Sequence, residues 1–261
     1  MVCSSPKIRG FTLLELMIAM GIFLVICAAM FSLLQLSQER YASESQLSGA
    51  FGEARLGIDQ IVRDINISGY PSAGMFSNTS SPTTFTISPF AWAPGYPSTP
   101  CQVGLNCIPT PGDFDLIVET NFGTTDLPGG VSWIRYQLVG TTLYRGVLPK
   151  GSDPIAAFSV AGVMTPFVEN VMNNVSDPLL SQITAQYPNM FQSGPVPVFK
   201  YTCNTPAGPQ PCSLASGYNS PKNISDVDVT LIVKTQQGDA QTHALQVMEL
   251  AARGHRSNPS N

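Results

Sequence analysis

The sequence predicts an α+β fold: a long N-terminal helix, membrane-crossing in its first half and amphipathic in its second, packed on a mainly antiparallel β-sheet head. Three observations predict it. Residues 11–34 are largely apolar, with one carboxylate and no Lys or Arg, and no proline interrupts the chain between Pro6 and Pro71. The segment that follows carries an apolar stripe at helical spacing. From about residue 84 onward the pattern changes to short β-type runs separated by Gly- and Pro-rich stretches.

The first element is the apolar run. Its 24 residues are enough to cross a hydrocarbon core as a helix. Lys7 and Arg9 precede it, which predicts a cytoplasmic N-terminus and an exported remainder. The apolar core is longer than that of a cleaved secretory signal. A lipoprotein signal is disfavoured because Ile26, not a small residue, precedes Cys27. A plain membrane anchor leaves Glu15 unexplained, since a carboxylate in a spanning helix costs roughly 2.5–3.5 kcal/mol at the bilayer centre. A Glu that simply reaches interfacial water is the bland alternative.

The helix then continues. Leu47, Phe51, Ala54, Ile58, Ile61 and Ile65 fall on one stripe, with Arg40, Glu44, Glu53, Arg55 and Asp59 largely on other faces. That stripe should lie against a sheet. Gly49, Gly52 and Gly57 weaken the helix locally and permit bending or close backbone approach. Gly69 and Pro71 end it.

Strand signals follow at 84–88, 114–119, 132–139, 142–148, 198–202, 226–234 and 242–250. Residues 133–148 read as a hairpin turning at Gly140 and Thr141. Alternation places Val227, Val229, Leu231 and Val233 on one face. Asp177 and Pro178 open a short helix running to 187, and residues 165–174 are helix or strand. Stretches 71–83, 89–112 and 203–222 read as loops.

Composition bounds the chemistry. The chain has 261 residues, a formal charge of −4 and no basic block, so nothing points to nucleic acid. Only 11% of residues are charged, well below a typical soluble domain, in keeping with a part that sits outside water. Catalytic signatures are missing: there is no G-x-S-x-G, phosphate-binding loop, H-E-x-x-H or dinucleotide fingerprint. The two histidines, His243 and His255, lie near the C-terminus, which disfavours a His-based triad. The expectation is a non-enzymatic protein with no cofactor and no metal. Asp113, Asp115 and Glu119, and separately Asp226 and Asp228, suit a calcium site by type, but their i, i+2 spacing on strands favours a solvated face. Phe90, Trp92 and Tyr96 lie in a Pro-rich loop, either as a partner surface or packed beneath it.

Six cysteines are present. Cys3 precedes the apolar run and Cys27 lies inside it. The other four allow three pairings. The simplest joins Cys101 to Cys107 and Cys203 to Cys212, because each closes a short Pro- or Gly-containing loop in an oxidising compartment. Free thiols and a zinc site are the competing readings, though the spacing suits zinc poorly.

A short basic leader ending in Gly10, then Phe-Thr-Leu-Leu-Glu and about 20 apolar residues, resembles the class III signal of type IV pilins and pseudopilins. The resemblance implies cleavage between Gly10 and Phe11 by a prepilin peptidase, methylation of the new Phe11 terminus, and an assembly role for Glu15. It implies a leader at 1–10, a transmembrane assembly helix at 11–34, an amphipathic helix at 35–69 and a periplasmic head at 70–261. The expected partners are other pilins or pseudopilins, the peptidase and an inner-membrane assembly platform. The expected location is the inner membrane, crossed once, and then a cell-surface or periplasmic filament. The head, through "GDFDLIVE", "TTLYRGV", "PFVENVMNNV", "VFKYT" and "DVDVTLIVK", resembles minor pilins of the PilW kind and the J-type pseudopilin of type II secretion.

Overall fold

The computed structural model describes residues 12–72, 75, 85–121, 130–174, 183, 185–191, 194–235, 238 and 244–258. Helix α1 spans Leu13–Asn66 without a break, as expected for a proline-free segment. It closes at Ile67, and Gly69 takes a positive φ of 82°, a conformation glycine enters without strain.

The predicted stripe is the packed face from Ala54 onward, while Leu47 and Phe51 at its start are only partly buried. Ala54, Ile58, Ile61 and Ile65 are buried, while Glu53, Arg55 and Asp59 are exposed. Two sheets receive them. The first is an antiparallel meander of β1 (Phe90–Ala91), β2 (Asp115–Thr120), β3 (Ser132–Val139), β4 (Thr142–Pro149) and β5 (Thr165–Val168), in that order. The second has the order β7-β6-β8-β9, from β6 (Phe199–Thr205), β7 (Gly208–Pro211), β8 (Ile224–Lys234) and β9 (Val247–His255). A short helix, α2 (Pro154–Phe158), capped by Asp153, follows β4. The architecture is α+β with antiparallel sheets, as the sequence predicts.

Two glycines set the helix–sheet distance. A Cβ at Gly57 would lie 2.5 Å from Val168 Cγ2, and one at Gly254 would lie 2.7 Å from Ile65 Cγ2. Both are absences of side chain that let backbones approach. The sheets are stitched together behind the helix. The Met172 N–H donates to Ile232 O, the Lys234 N–H donates to Asn170 O, and Asn173 bonds β8 at both Thr230 and Ile232.

Several sequence expectations are corrected, and two left open between alternatives, the role of Trp92 and Tyr96 and the form of residues 165–174, are decided. Stretch 89–112 is not only loop: Phe90–Ala91 forms the edge of the first sheet, and Phe90, Ala91 and Trp92 are fully buried against it. Trp92 and Tyr96 therefore pack beneath the loop, ring to ring, rather than facing a partner. Stretch 203–222 holds the β6–β7 hairpin. The two prolines of β7, Pro209 and Pro211, are tolerated because β7 is an edge strand. Residues 165–168 are strand. Residues 85–88 contribute only a bridge from Thr86 to Ser72. The final strand lies about five residues later than predicted, because its register is fixed by Gly254 against Ile65 and by nine pairs with β8. The expected helix opening at Asp177 and Pro178 falls largely outside the described residues, as do Gly10, Phe11 and His243.

One buried polar residue on α1 is unanticipated. Asp64 is fully buried and accepts hydrogen bonds from Tyr136 Oη, Gln60 Nε2 (2.7 Å) and Arg145 Nη2 (3.0 Å). Tyr136 and Arg145 face each other across the β3–β4 ladder, so the hairpin presents both donors together. Asp64→Ala should lower the unfolding free energy by about 3 kcal/mol, because the Tyr136 hydroxyl and part of Arg145 lose their partner in the core. Tyr136→Phe should cost about 1–2 kcal/mol. Urea unfolding followed by tryptophan fluorescence checks both, and equal effects would contradict the assignment of Asp64 as the hub.

Candidate functional site: the apolar helix and its head

The site begins where α1 begins. Thr12, with φ −78° and ψ 150°, is the N-cap, and the Glu15 amide N–H donates to Thr12 Oγ1 (3.3 Å). Thr12 and Glu15 have the spacing of a capping box, and the Glu15 carboxylate stands in the positive field of the helix N-terminus. Glu15 is exposed, and among the described residues its carboxylate has no ionic partner. Gly10 and Phe11, the predicted processing pair, lie outside the described residues.

Around Glu15 the surface is uniformly apolar. Leu14, Met17, Ile18, Phe23, Val25, Met30, Phe31 and Leu34 are all exposed by about half or more of their area, on every side of the helix. A helix apolar all round, with no protein against it, is suited to lipid or to other helices. By length and composition this part of α1 is able to cross a membrane. Its polar atoms are few: the Ser32 hydroxyl is satisfied by donating to Ala29 O (2.9 Å). Cys27, half-buried, carries a free thiol.

The head supplies no assembled catalytic set among the described residues. The acids singled out from sequence take unexpected roles. Asp115 and Glu119 do not form a solvated strand face: both are buried, because β2 is covered on both sides. Asp115 accepts two bonds from Arg135 (2.6 and 3.0 Å). Burial raises the Asp115 carboxyl above its usual range, while Arg135 and Gln137 pull it back down. Glu119 binds Lys150 Nζ (3.1 Å), Trp133 Nε1 and the Ile87 N–H. Burial lowers the Lys150 ammonium, and Glu119 restores part of that loss. Both acids are thus occupied by internal cations. Among the described residues no group of three His, Cys, Asp or Glu side chains is arranged to hold a metal ion.

Asp226 and Asp228 stand on the half-exposed face of β8 opposite β9. Asp228 pairs with Arg253 (2.6 Å), and Asp226 lies 2.8 Å from His255 Nδ1. Cys101 is bonded to Cys107 and Cys203 to Cys212, with Cα separations of 5.0 and 4.9 Å. Sequence reasoning missed Asp64 and Lys150. The signal for Asp64 was present: it directly precedes Ile65 and lies three residues after Ile61, on the packed stripe. Lys150 carried no local signal, since its burial depends on the loop that folds over it.

Residues 5–31 match the prokaryotic N-terminal methylation motif. That motif marks the chain as a type IV pilin-like precursor, with the processing by prepilin peptidase and the assembly with other pilins that such a signal implies. No curated protein matches the chain, and no solved structure matches it.

Burial alone would raise the Asp226 carboxyl, but hydrogen bonds from Ser225 and His255, with Arg253 nearby, more than offset it and hold its pKa below the ordinary aspartate value. A depressed folded pKa gives stability that is present above the unfolded pKa and lost as pH falls through the folded one. Asp226→Asn should therefore lower the urea midpoint near neutrality, and the gap to the parent protein should close below about pH 4. A gap independent of pH would contradict this.

Proposed function

We propose that this chain is a minor pilin or pseudopilin, a structural subunit built through its N-terminal helix into a type IV pilus or a pilus-like filament of a secretion or DNA-uptake system. The observation that carries the reading is the continuity of one helix across two environments. The methylation motif lies at its start, residues 13–34 are exposed apolar surface, and residues 54–65 are clamped to a folded head. A domain that needed only an anchor would not need the anchor to be one rigid rod with its own core helix.

In this reading residues 1–10 are a leader cut between Gly10 and Phe11, and Phe11 becomes the methylated terminus. The leader carries Lys7 and Arg9, so its loss removes the flanking cations and leaves a single ammonium at Phe11. Residues 11–34 form the transmembrane assembly helix, 35–69 the amphipathic continuation and 70–261 the periplasmic head. Glu15 lies four residues from the new terminus, about 6 Å along the helix axis. Its carboxylate in apolar surroundings is unfavourable while alone and is relieved when a neighbouring subunit's ammonium sits beside it. Wrong axial registers leave it unpaired. The apolar helix supplies the driving force for assembly and Glu15 the register. Initiation of the filament, or its tip, is the position proposed for the subunit.

Mass analysis of the full chain from a host with prepilin peptidase should give an N-terminus at methyl-Phe11. An uncut chain, or cleavage beyond residue 30, would overturn the reading. Glu15→Ala should leave insertion and cleavage intact and reduce incorporation into filaments by tenfold or more, about 1.4 kcal/mol of register energy. Unchanged incorporation would contradict the charge-pairing account.

A further inference from the structure

The loop closed by Cys101–Cys107 and the segment 212–219, which begins at the Cys203–Cys212 bridge, are distant in sequence and form one rim. In the first, the Gln102 carbonyl accepts from the amides of Leu105, Asn106 and Cys107, and Asn106 Oδ1 accepts from the Gln102 N–H (2.6 Å). Gly104, at φ 80°, brings this loop against the second: a Cβ there would lie 3.2 Å from Ser213 Cβ. The Val103 N–H donates to Asn219 O (2.7 Å), tying the loops at a second point.

This rim is exposed and apolar. Leu105 is 65%, Ile108 72%, Leu214 72% and Tyr218 44% exposed. Leu105 and Leu214 directly follow Gly104 and Ser213, where the loops touch, and Tyr218 directly precedes Asn219, so these side chains belong to one surface. Below them opens a cleft of about 450 Å³, lined by Leu105, Ile108, Asp113, Phe114, Gln137 and Tyr201. Within it the polar groups are already satisfied: Asp115 is held by Arg135, and the Tyr201 hydroxyl donates to Gly112 O (2.7 Å).

Asp113 is different. It is exposed at the cleft mouth, and its carboxylate has no hydrogen bond or ion pair among the described residues. The cleft walls desolvate the carboxyl enough to raise its pKa, and Lys200 pulls the other way only through space. The same residue borders an adjoining cleft of about 270 Å³ against Cys212 and Ser213. One acid with no ion-pair contact, and only Lys200 acting on it through space, thus sits beside an apolar rim that adjoins both disulfides. Large apolar side chains on rigid loops bind with little loss of conformational freedom, and a shielded charge beside them selects the partner's sign.

We infer that the Cys101–Cys107 loop with Ile108, and the segment 212–219 after the second bridge, form a docking surface for a segment of another protein in which a lysine or arginine is flanked by bulky apolar residues, with the cation on Asp113 and the apolar residues on Leu105, Ile108 and Leu214. A membrane is disfavoured as occupant, because the charge at the centre of the surface repels anionic headgroups. The inference is separate from filament assembly and would survive failure of the methyl-Phe11 or Glu15 experiments.

The test uses the full chain in phosphatidylcholine nanodiscs and a peptide carrying fluorescein on its N-terminal amine, fluorescein-Leu-Ile-Lys-Leu amide, whose lysine ammonium stays free. Saturable anisotropy should be observed. It should weaken about tenfold when norleucine replaces the peptide lysine, and as much in Asp113→Asn, the strength expected of one shielded charge contact. The double variant Leu105→Ser, Ile108→Ser should weaken it further. Asp113→Asn keeps the backbone carbonyl that accepts from Val198 and Phe199 (2.8 and 3.0 Å), so the cleft wall is retained. No saturable binding, equal binding of the norleucine peptide, or binding unchanged in Asp113→Asn would overturn the proposal. So would Asp113-independent adsorption of the head to phosphatidylglycerol vesicles together with absent peptide binding.

Discussion

The structure depends on how the last three turns of α1 are fixed to the head. Ala54, Ile58, Ile61 and Ile65 bury completely against the two sheets, each larger side chain contributing roughly 2 kcal/mol. Apolar burial alone is non-directional and would leave the helix free to rotate or slide by a residue. Asp64 removes that freedom. A carboxylate with no exposed area is tolerated only where its partners meet it, and Tyr136 and Arg145 meet it at one point of one hairpin. A slip of α1 would leave the acid unpaired. Gly57 and Gly254 reinforce the same register, because only there does the backbone of β9, or the side chain of Val168, find room.

From this fixed end the helix extends as a single hydrogen-bonded rod to Thr12. Its two halves obey opposite rules. The C-terminal half is amphipathic and satisfied within the chain. The N-terminal half is apolar all round and satisfied only by something outside it. Glu15 and the Thr12 cap mark the far end of that second half. Any partner that orders the apolar half therefore also orients the head, since α1 runs through residues 34–54 without a break even at Gly49 and Gly52. That mechanical continuity is what an assembling subunit needs and what a tethered domain does not.

Much of this was legible in the sequence where periodicity is strong. The helix, its packed stripe and its end at Gly69 follow from spacing and from the absence of proline. The β3–β4 hairpin follows from alternation around Gly140, and the buried face of β8 from Val227, Val229, Leu231 and Val233. What was not legible was set by tertiary context. Asp115 and Glu119 alternate as a solvated strand would, yet burial on both faces of β2 turns them into internal ion-pair partners of Arg135 and Lys150. Prolines in 203–222 signal loop, yet an edge strand accepts them. The register of β9 is decided by a glycine contact to α1, which no local pattern encodes. In the N-terminal segment the motif alone carried the reading, since Gly10 and Phe11 lie outside the described residues and the pairing proposed for Glu15 needs a partner outside the chain.

Hydrogen exchange on the full chain in nanodiscs tests the division of α1 most directly. The account predicts slow exchange at 54–65, where amides open only with the head, slow exchange at 13–34, where lipid excludes water, and fast exchange at 36–48, where the helix crosses solvent without packing. Protection at 36–48 equal to that at 54–65, or exchange at 54–65 faster than in the strands β3 and β8, would contradict the claim that one helix is clamped at one end and free for assembly at the other.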